Sequence, residues 1–219
     1  SAGLMQRILA RACEIQPDET RATLISFILV FLLMGSYYIV RPVRDALASN
    51  WSDAEVSRLW DINFVISTIA VVLYGWAISH IRFQRLVPSV YGLFAASFVL
   101  FGVAAHLVAE HTLLDKSFYV WVSLFALFHI SVFWSFMADT FSKPQSKRLF
   151  GFIGAGASAG GLAGPAIASL LVGGLGTDGL LLIASVMLVL AMPLVYWLQR
   201  LKVIDLHNES VALEDRKSV

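Results

Sequence analysis

The stretch GFIGAGASAGGLAGP, residues 151–165, admits three incompatible readings. Gly154, Gly156 and Ala159 fit the G-x-G-x-x-A turn that cradles a dinucleotide's pyrophosphate, while Ser158, between Gly156 and Gly160, approximates the Gly-x-Ser-Gly of an intramembrane serine protease. Gly156, Gly160 and Gly164 also recur at spacing four, which places them on one helix face and lets a neighbouring backbone approach closely. A dinucleotide turn needs a strand before it and an acidic residue about 20 positions after it. Here the run sits inside an apolar stretch with no strand pattern before it, and Asp178 falls in the loop beyond. A protease needs a histidine on a later helix to activate Ser158; residues 179–199 hold none, His129 lies one stretch earlier and His207 lies in a polar tail. Helix packing is favoured, and Pro165, which removes a hydrogen-bond donor, predicts a bend in that helix.

The surroundings are equally apolar. Of 219 residues, 58% are hydrophobic and 14% charged, against about a quarter charged in a soluble domain. Asp, Glu, Lys and Arg are absent from 22–40, 62–81, 86–109, 117–138, 149–177 and 179–199, and about 20 apolar residues suffice for a helix to cross the hydrocarbon core. Barrel strands would be about ten residues long with alternating polarity, which these runs lack. The expectation is an all-α membrane protein, a six-helix transmembrane bundle over 21–202 with spans near 22–41, 60–81, 86–109, 117–140, 149–173 and 179–199. Residues 1–20 read as a juxtamembrane amphipathic helix (Leu4, Ile8, Leu9, Ala12), with Pro17-Asp18 capping the first span. Residues 203–219 read as a polar, mobile tail or linker. The first span ends in Arg41-Pro42-Val43-Arg44 without a small-residue cleavage pattern, so it is expected to remain. The lone Cys13 excludes an internal disulfide and reads as an unreactive thiol or, less simply, a palmitoylation site. No Cys/His cluster has metal-site spacing, no cofactor is implied, and the net charge of +1 argues against a nucleic-acid partner.

Alternating loops divide the basic residues unevenly. Arg7, Arg11, Arg21, Arg82, Arg85, Lys143, Lys147, Arg148, Arg200, Lys202, Arg216 and Lys217 fall on one side, and only Arg41, Arg44, Arg58 and Lys116 on the other. Basic residues are retained in the cytoplasm, so both termini are expected there. Trp60 and Trp121 near one boundary, and Trp76, Trp134, Tyr196 and Trp197 near the other, suit interfacial belts, although each could be a packing aromatic.

Polar side chains in lipid normally face the bundle interior or a watery cavity. The third and sixth spans are nearly bare, with Tyr91, Ser97, His106 and Ser185 as exceptions, and are expected to face lipid. The first carries Tyr37, Tyr38 and Arg41, the second Asp61, Asn63, Ser67 and Thr68, and the fourth Ser123, His129, Ser131, Ser135 and Asp139; these three are expected to line a pathway. Tyr37, Arg41 and Arg44 share a face if the helix continues through Pro42. Guanidinium groups bind phosphate and carboxylate bidentately and keep their charge when dehydrated, so this face suits a multivalent anion; equally, both arginines could be interfacial anchors paired with Asp45 or Asp61. His129, near mid-span, suits either a neutral interhelical hydrogen bond or a proton or substrate role. Asp139 could latch to Arg82, Arg85, Lys147 or Arg148, or form a solvated pair with no switching role.

Tyr37-Tyr38-Ile39-Val40-Arg41-Pro42-Val43-Arg44-Asp45-Ala46-Leu47 resembles the first-span signature of the ATP/ADP translocase-type nucleotide transporters of plastids and intracellular bacteria, relatives of the major facilitator superfamily, with arginine at 44 where that signature has lysine. Ser135–Phe141 and Lys147–Gly151 resemble the fourth and fifth spans of bacterial members, and Gly160-x-x-x-Gly164-Pro165 resembles the fifth-helix motif of facilitator antiporters. The resemblance covers about 20–200. It implies the amino-terminal six-helix half of a twelve-helix transporter of a bacterial inner membrane, moving a nucleotide or other organic anion by exchange or ion-coupled transport. A cavity lined by the first and fourth helices would use Tyr37, Tyr38, Arg41, Arg44, Asn63 and His129 for substrate, with Asp45, Asp61, Arg82, Arg85 and Asp139 in ion pairs or gates. Expected partners are the bilayer, the anion and a second six-helix half, on the same chain or another. A membrane scaffold pairing through the 156/160/164 face and a half-size homodimeric transporter are the alternatives, with an intramembrane protease the weakest.

Overall fold

The computed structural model describes residues 3, 4, 7, 8 and 14–208. Five helices organise them: α1 (Thr20–Ala48), α2 (Asp53–His80), α3 (Phe83–Leu107), α4 (Thr112–Thr140) and α5 (Lys143–Ile204), with no strand among the described residues. All five are long and apolar enough to cross a membrane. At 1.5 Å per residue, α1 to α4 reach about 38 to 44 Å, the thickness of a bilayer with its headgroup regions.

The count differs from the expected six because the last two expected spans belong to one run. At 62 residues, α5 drawn straight would extend about 93 Å. It does not run straight: Gly176, at φ 66° and ψ −174°, is the one residue inside it with non-helical dihedrals. That conformation is essentially restricted to glycine. Residues 160 and 187 would lie about 40 Å apart on a straight helix, yet both reach Gly35, at 4.0 Å for the Gly160 carbonyl and 2.7 Å for the Met187 methyl, measured from a Cβ placed there. The run therefore doubles back at Gly176. Helical dihedrals continue through Pro165, and the break falls instead at Gly176, within the connection expected between 173 and 179.

α1 sits between the two halves of α5 and makes its most extensive contacts with them, then with α4. Ser36 Oγ donates to the Ala184 carbonyl at 3.1 Å. Between α3 and α4, Phe94, Phe98 and Phe125 interlock, with ring centroids 4.9 and 5.1 Å apart, and Trp121 Nε1 donates to Ser97 Oγ at 2.6 Å. In lipid such contacts bind helices by dispersion and hydrogen bonding, since leaving hydrocarbon for protein gains nothing hydrophobically.

Burial redistributes the expected roles. α3 and the second half of α5 each bury one face, through Tyr91, Phe94 and Phe98 and through Ala184, Leu188, Ala191 and Val195, and leave the other open. They are therefore not wholly lipid-facing, as their lack of polar residues implied. α2 is the uncovered helix: only Leu59 is buried, and a half-buried stripe of Asn63, Ser67, Ala70, Tyr74 and Ala77 marks its side toward the bundle.

The helix ends also correct the sequence reading. α1 begins at Thr20 after a turn over 17–19, with Glu19 rather than Pro17-Asp18 at the cap. α2 opens with a reciprocal cap, Glu55 N–H to Ser52 Oγ at 3.3 Å and Ser52 N–H to Glu55 Oε2 at 2.9 Å. The part of the tail described, 203–208, is docked: Leu206 is buried and Asn208 donates to the Thr140 carbonyl at 2.9 Å. Leu4 and Ile8 are helical and exposed; Leu9, Ala12, Cys13 and residues 209–219 lie outside the described residues.

Candidate functional site

α1 continues through Pro42, so Tyr37, Arg41 and Arg44 do share a continuous helix. Proline has no N–H, which leaves the Tyr38 carbonyl without its intrahelical donor. Arg44 donates from Nε and Nη2 to Asp45 Oδ1 at 3.0 and 2.9 Å, and Arg41 Nε lies 3.6 Å from Asp45 Oδ2. One carboxylate thus bridges both guanidinium groups. Arg44 also approaches Ser123 Oγ at 3.4 Å and sits 5.5 Å over the Tyr119 ring, while Arg41 sits 5.6 Å over Tyr38. Arg41 is 44% exposed and Arg44 15%, so the first presents its charge and the second is held against α4.

One turn deeper, His129 of α4 stacks on Tyr37 with ring centroids 4.8 Å apart. Its Nδ1 lies 2.8 Å from the Phe125 carbonyl and its Nε2 3.3 Å from Met34 Sδ. Nδ1 is placed to donate to that carbonyl, and Nε2 faces Met34 of α1. Tyr37, Arg44 and His129 therefore meet along the α1/α4 seam, and Tyr38, packed against Gly161 and Gly164 of α5, joins them through the edge of Tyr37 and through Arg41. Asn63 stands apart on α2, where Ser67 Oγ donates to its Oδ1 at 3.5 Å. Asp61 is exposed and, among the described residues, has no cation within salt-bridge distance; Asp45, not Asp61, pairs the arginines.

The glycine face lies against α1. A Cβ at Gly156 would meet the Phe27 carbonyl at 2.7 Å, at Gly160 the Phe31 carbonyl at 2.5 Å, and at Gly164 the Gly35 carbonyl at 2.9 Å. Three carbonyls spaced four apart on α1 thus face three glycines spaced four apart on α5. The face is filled from within the chain, which removes it as a scaffold's pairing surface. Ser158 is exposed, with no hydrogen-bonded histidine among the described residues.

The family model of the Major Facilitator Superfamily matches residues 24–217. The chain belongs to that superfamily. No curated protein and no solved structure matches it. Membership makes this an integral membrane protein of a transporter family rather than an enzyme family.

In this facilitator the charges at the end opposite Asp45 pair differently from expectation. Arg148 reaches Glu19, not Asp139: its Nη2 lies 2.7 Å from Glu19 Oε1, and its Nη1 2.9 Å from Oε2. Asp139 instead accepts from Lys202 Nζ at 3.2 Å, and Arg21 Nη2 pairs with Asp205 at 2.6 Å. Arg82 and Arg85 have no carboxylate within salt-bridge distance among the described residues. Burial opposes ionisation of Glu19, but hydrogen bonds from Arg148 and the Gln16 N–H outweigh it, holding its carboxyl below the usual glutamate range. Glu19, Lys202, Asp205 and Tyr119 were missed from sequence. Glu19 carried one usable signal, a carboxylate directly before an apolar run. The open grooves lined by Gln84, Val189 and Arg200 and by Val43, Ala46 and Asp178 include neither Arg41 nor Arg44; within the α1/α4 cluster Arg41 is exposed and His129 is buried.

Proposed function

We propose that this chain is the amino-terminal half of a facilitator that moves an organic anion, a nucleotide or other phosphorylated metabolite, by alternating access. The observation that carries the reading is the pair of guanidinium groups near the end of α1, Arg41 exposed and Arg44 against α4, bridged by the single carboxylate of Asp45. Asp45 occupies the position a substrate's phosphate or carboxylate would take, so an incoming anion exchanges for it rather than entering an empty site. Such an exchange keeps both arginines paired throughout and avoids leaving a charge unpaired away from water. Tyr37 and Tyr38 flank the arginines and offer aromatic faces to a base or other ring. His129 fixes Tyr37 by stacking and takes no proton in this scheme.

The same reading makes the two halves of α5 separate crossings, giving six, with both termini cytoplasmic and Gly176 at the outer face of a bacterial inner membrane. A second six-helix half covers α2 and rocks against this one around a site near the midplane. The test is uptake by the full-length protein in proteoliposomes, with radiolabelled ATP, inorganic phosphate and a dicarboxylate offered separately. Arg44→Ala removes a charge-assisted bond of about 1.5 to 3 kcal/mol, so uptake of the preferred anion falls roughly ten- to a hundredfold. Unchanged uptake in that variant rules out the anion site.

A further inference from the structure

A groove of about 900 Å³ runs along the outside of the bundle between the start of α3 and the second half of α5. Gln84, Val189, Met192, Trp197 and Arg200 are among the residues lining it. Its chemistry changes along its length. Val189 and Met192 are apolar, Tyr196 and Trp197 follow, both about half exposed, then come Gln199 and Arg200, with Val203 and Ile204 lining it one turn further on. From Val189 to Arg200 is about 16 Å of helix, close to the ~15 Å half-thickness of a hydrocarbon core. Val189 also lies midway between Asp178 and Arg200, the charged residues that bracket this segment, so the groove reaches from the membrane's middle to one headgroup layer.

Charge identifies the occupant. No acidic residue lines the groove, Arg200 does, and Arg82 and Arg85 flank Gln84 on the first turn of α3. Among the described residues none of these three arginines has a carboxylate within salt-bridge distance. Gln199 Nε2 donates to the Gln84 carbonyl at 2.8 Å, tying α3 to α5 at the level of Arg200. We propose that this groove holds one anionic phospholipid of the leaflet at the basic end, its phosphate against Arg200 and its acyl chains along Val189 to Trp197. The site is separate from the α1 arginines and does not depend on the transported anion.

Native mass spectrometry of the full-length protein, incubated with phosphatidylglycerol or phosphatidylcholine in detergent, tests this. One bound phosphatidylglycerol is expected in preference to phosphatidylcholine. Arg200→Gln lowers the preference about fivefold, the effect of one basic residue at an anionic surface, and Arg200→Lys retains it. Excess inorganic phosphate leaves the lipid bound. If Arg200→Gln proves unstable, the Arg82→Gln/Arg85→Gln double variant is read in the same way, alongside quenching of tryptophan fluorescence by brominated phosphatidylglycerol in the unaltered protein. Equal retention of both lipids, an unchanged preference in the arginine variants, displacement by inorganic phosphate, or a lipid-free dimer lost on Trp197→Ala would each overturn the proposal.

Discussion

Asp45 is the residue on which the anion reading turns, because it decides what the arginines do when no substrate is present. Exposed ion pairs contribute only about 0 to 1 kcal/mol, and Asp45 is 52% exposed, so Asp45→Asn should lower the transport KM by no more than about fivefold while leaving the protein folded. An unchanged or raised KM would remove Asp45 as the competing carboxylate. Glu19 belongs to a different regime, since its side chain is 2% exposed against 25% for Arg148. Removing the cation leaves that carboxylate buried and unpaired, so Arg148→Ala should cost about 3 kcal/mol, seen as a lowered melting temperature in detergent. Because the pair depresses the Glu19 pKa, its stabilisation is complete above the unfolded carboxylate value and is lost as pH falls through the lower folded one. Melting temperatures from pH 7 down to 3 should therefore drop less steeply in Glu19→Gln than in the parent; equal slopes would contradict the pairing. The adjacency of Arg44 and Asp45 is legible in the sequence. The placement of Arg44 against Tyr119 and Ser123 is not, because it depends on where α1 crosses α4.

At the scale of the elements, close approach of α1 and α5 is the feature most sensitive to a single methyl. Gly160→Ala puts a Cβ 2.5 Å from a backbone carbonyl, which a side-chain rotation cannot relieve. Overpacking of this kind costs about 1 to 3 kcal/mol, whereas Gly151→Ala, with nothing within 4 Å, should be neutral; equal melting temperatures would refute the packing. Hydropathy made the all-helical, membrane-embedded class legible, and spacing alone put three glycines on one face. The turn at Gly176 falls inside 174–178, the connection expected between the fifth and sixth spans, so its place was legible. Its form was not, because helical pairing continues on both sides, through Leu175 and Thr177, and the connection shrinks to a single glycine. The span boundaries drawn at 173 and 179 came from charge, through Asp178. The burial of α3 and of the second half of α5 was not legible for a related reason: in lipid, apolar residues serve both packing and solvent contact, so composition does not separate the two faces.

For the molecule as a whole, the position of α1 organises everything else. Both halves of α5 hold it, its Glu19 end is joined to Arg148 and its Arg21 to Asp205, and its far end carries the arginine pair. That arrangement requires α5 to cross and return, and it leaves α2 uncovered, the face we propose a second half meets. Substituted-cysteine labelling in a Cys13→Ser background tests it most directly, with single cysteines at Ser142, Thr177 and Asn208 and a membrane-impermeant maleimide applied to intact cells. The account predicts that Thr177→Cys is labelled from outside, while Ser142→Cys and Asn208→Cys react only after the membrane is opened. Labelling of Thr177→Cys from the same side as either of the other two would contradict it.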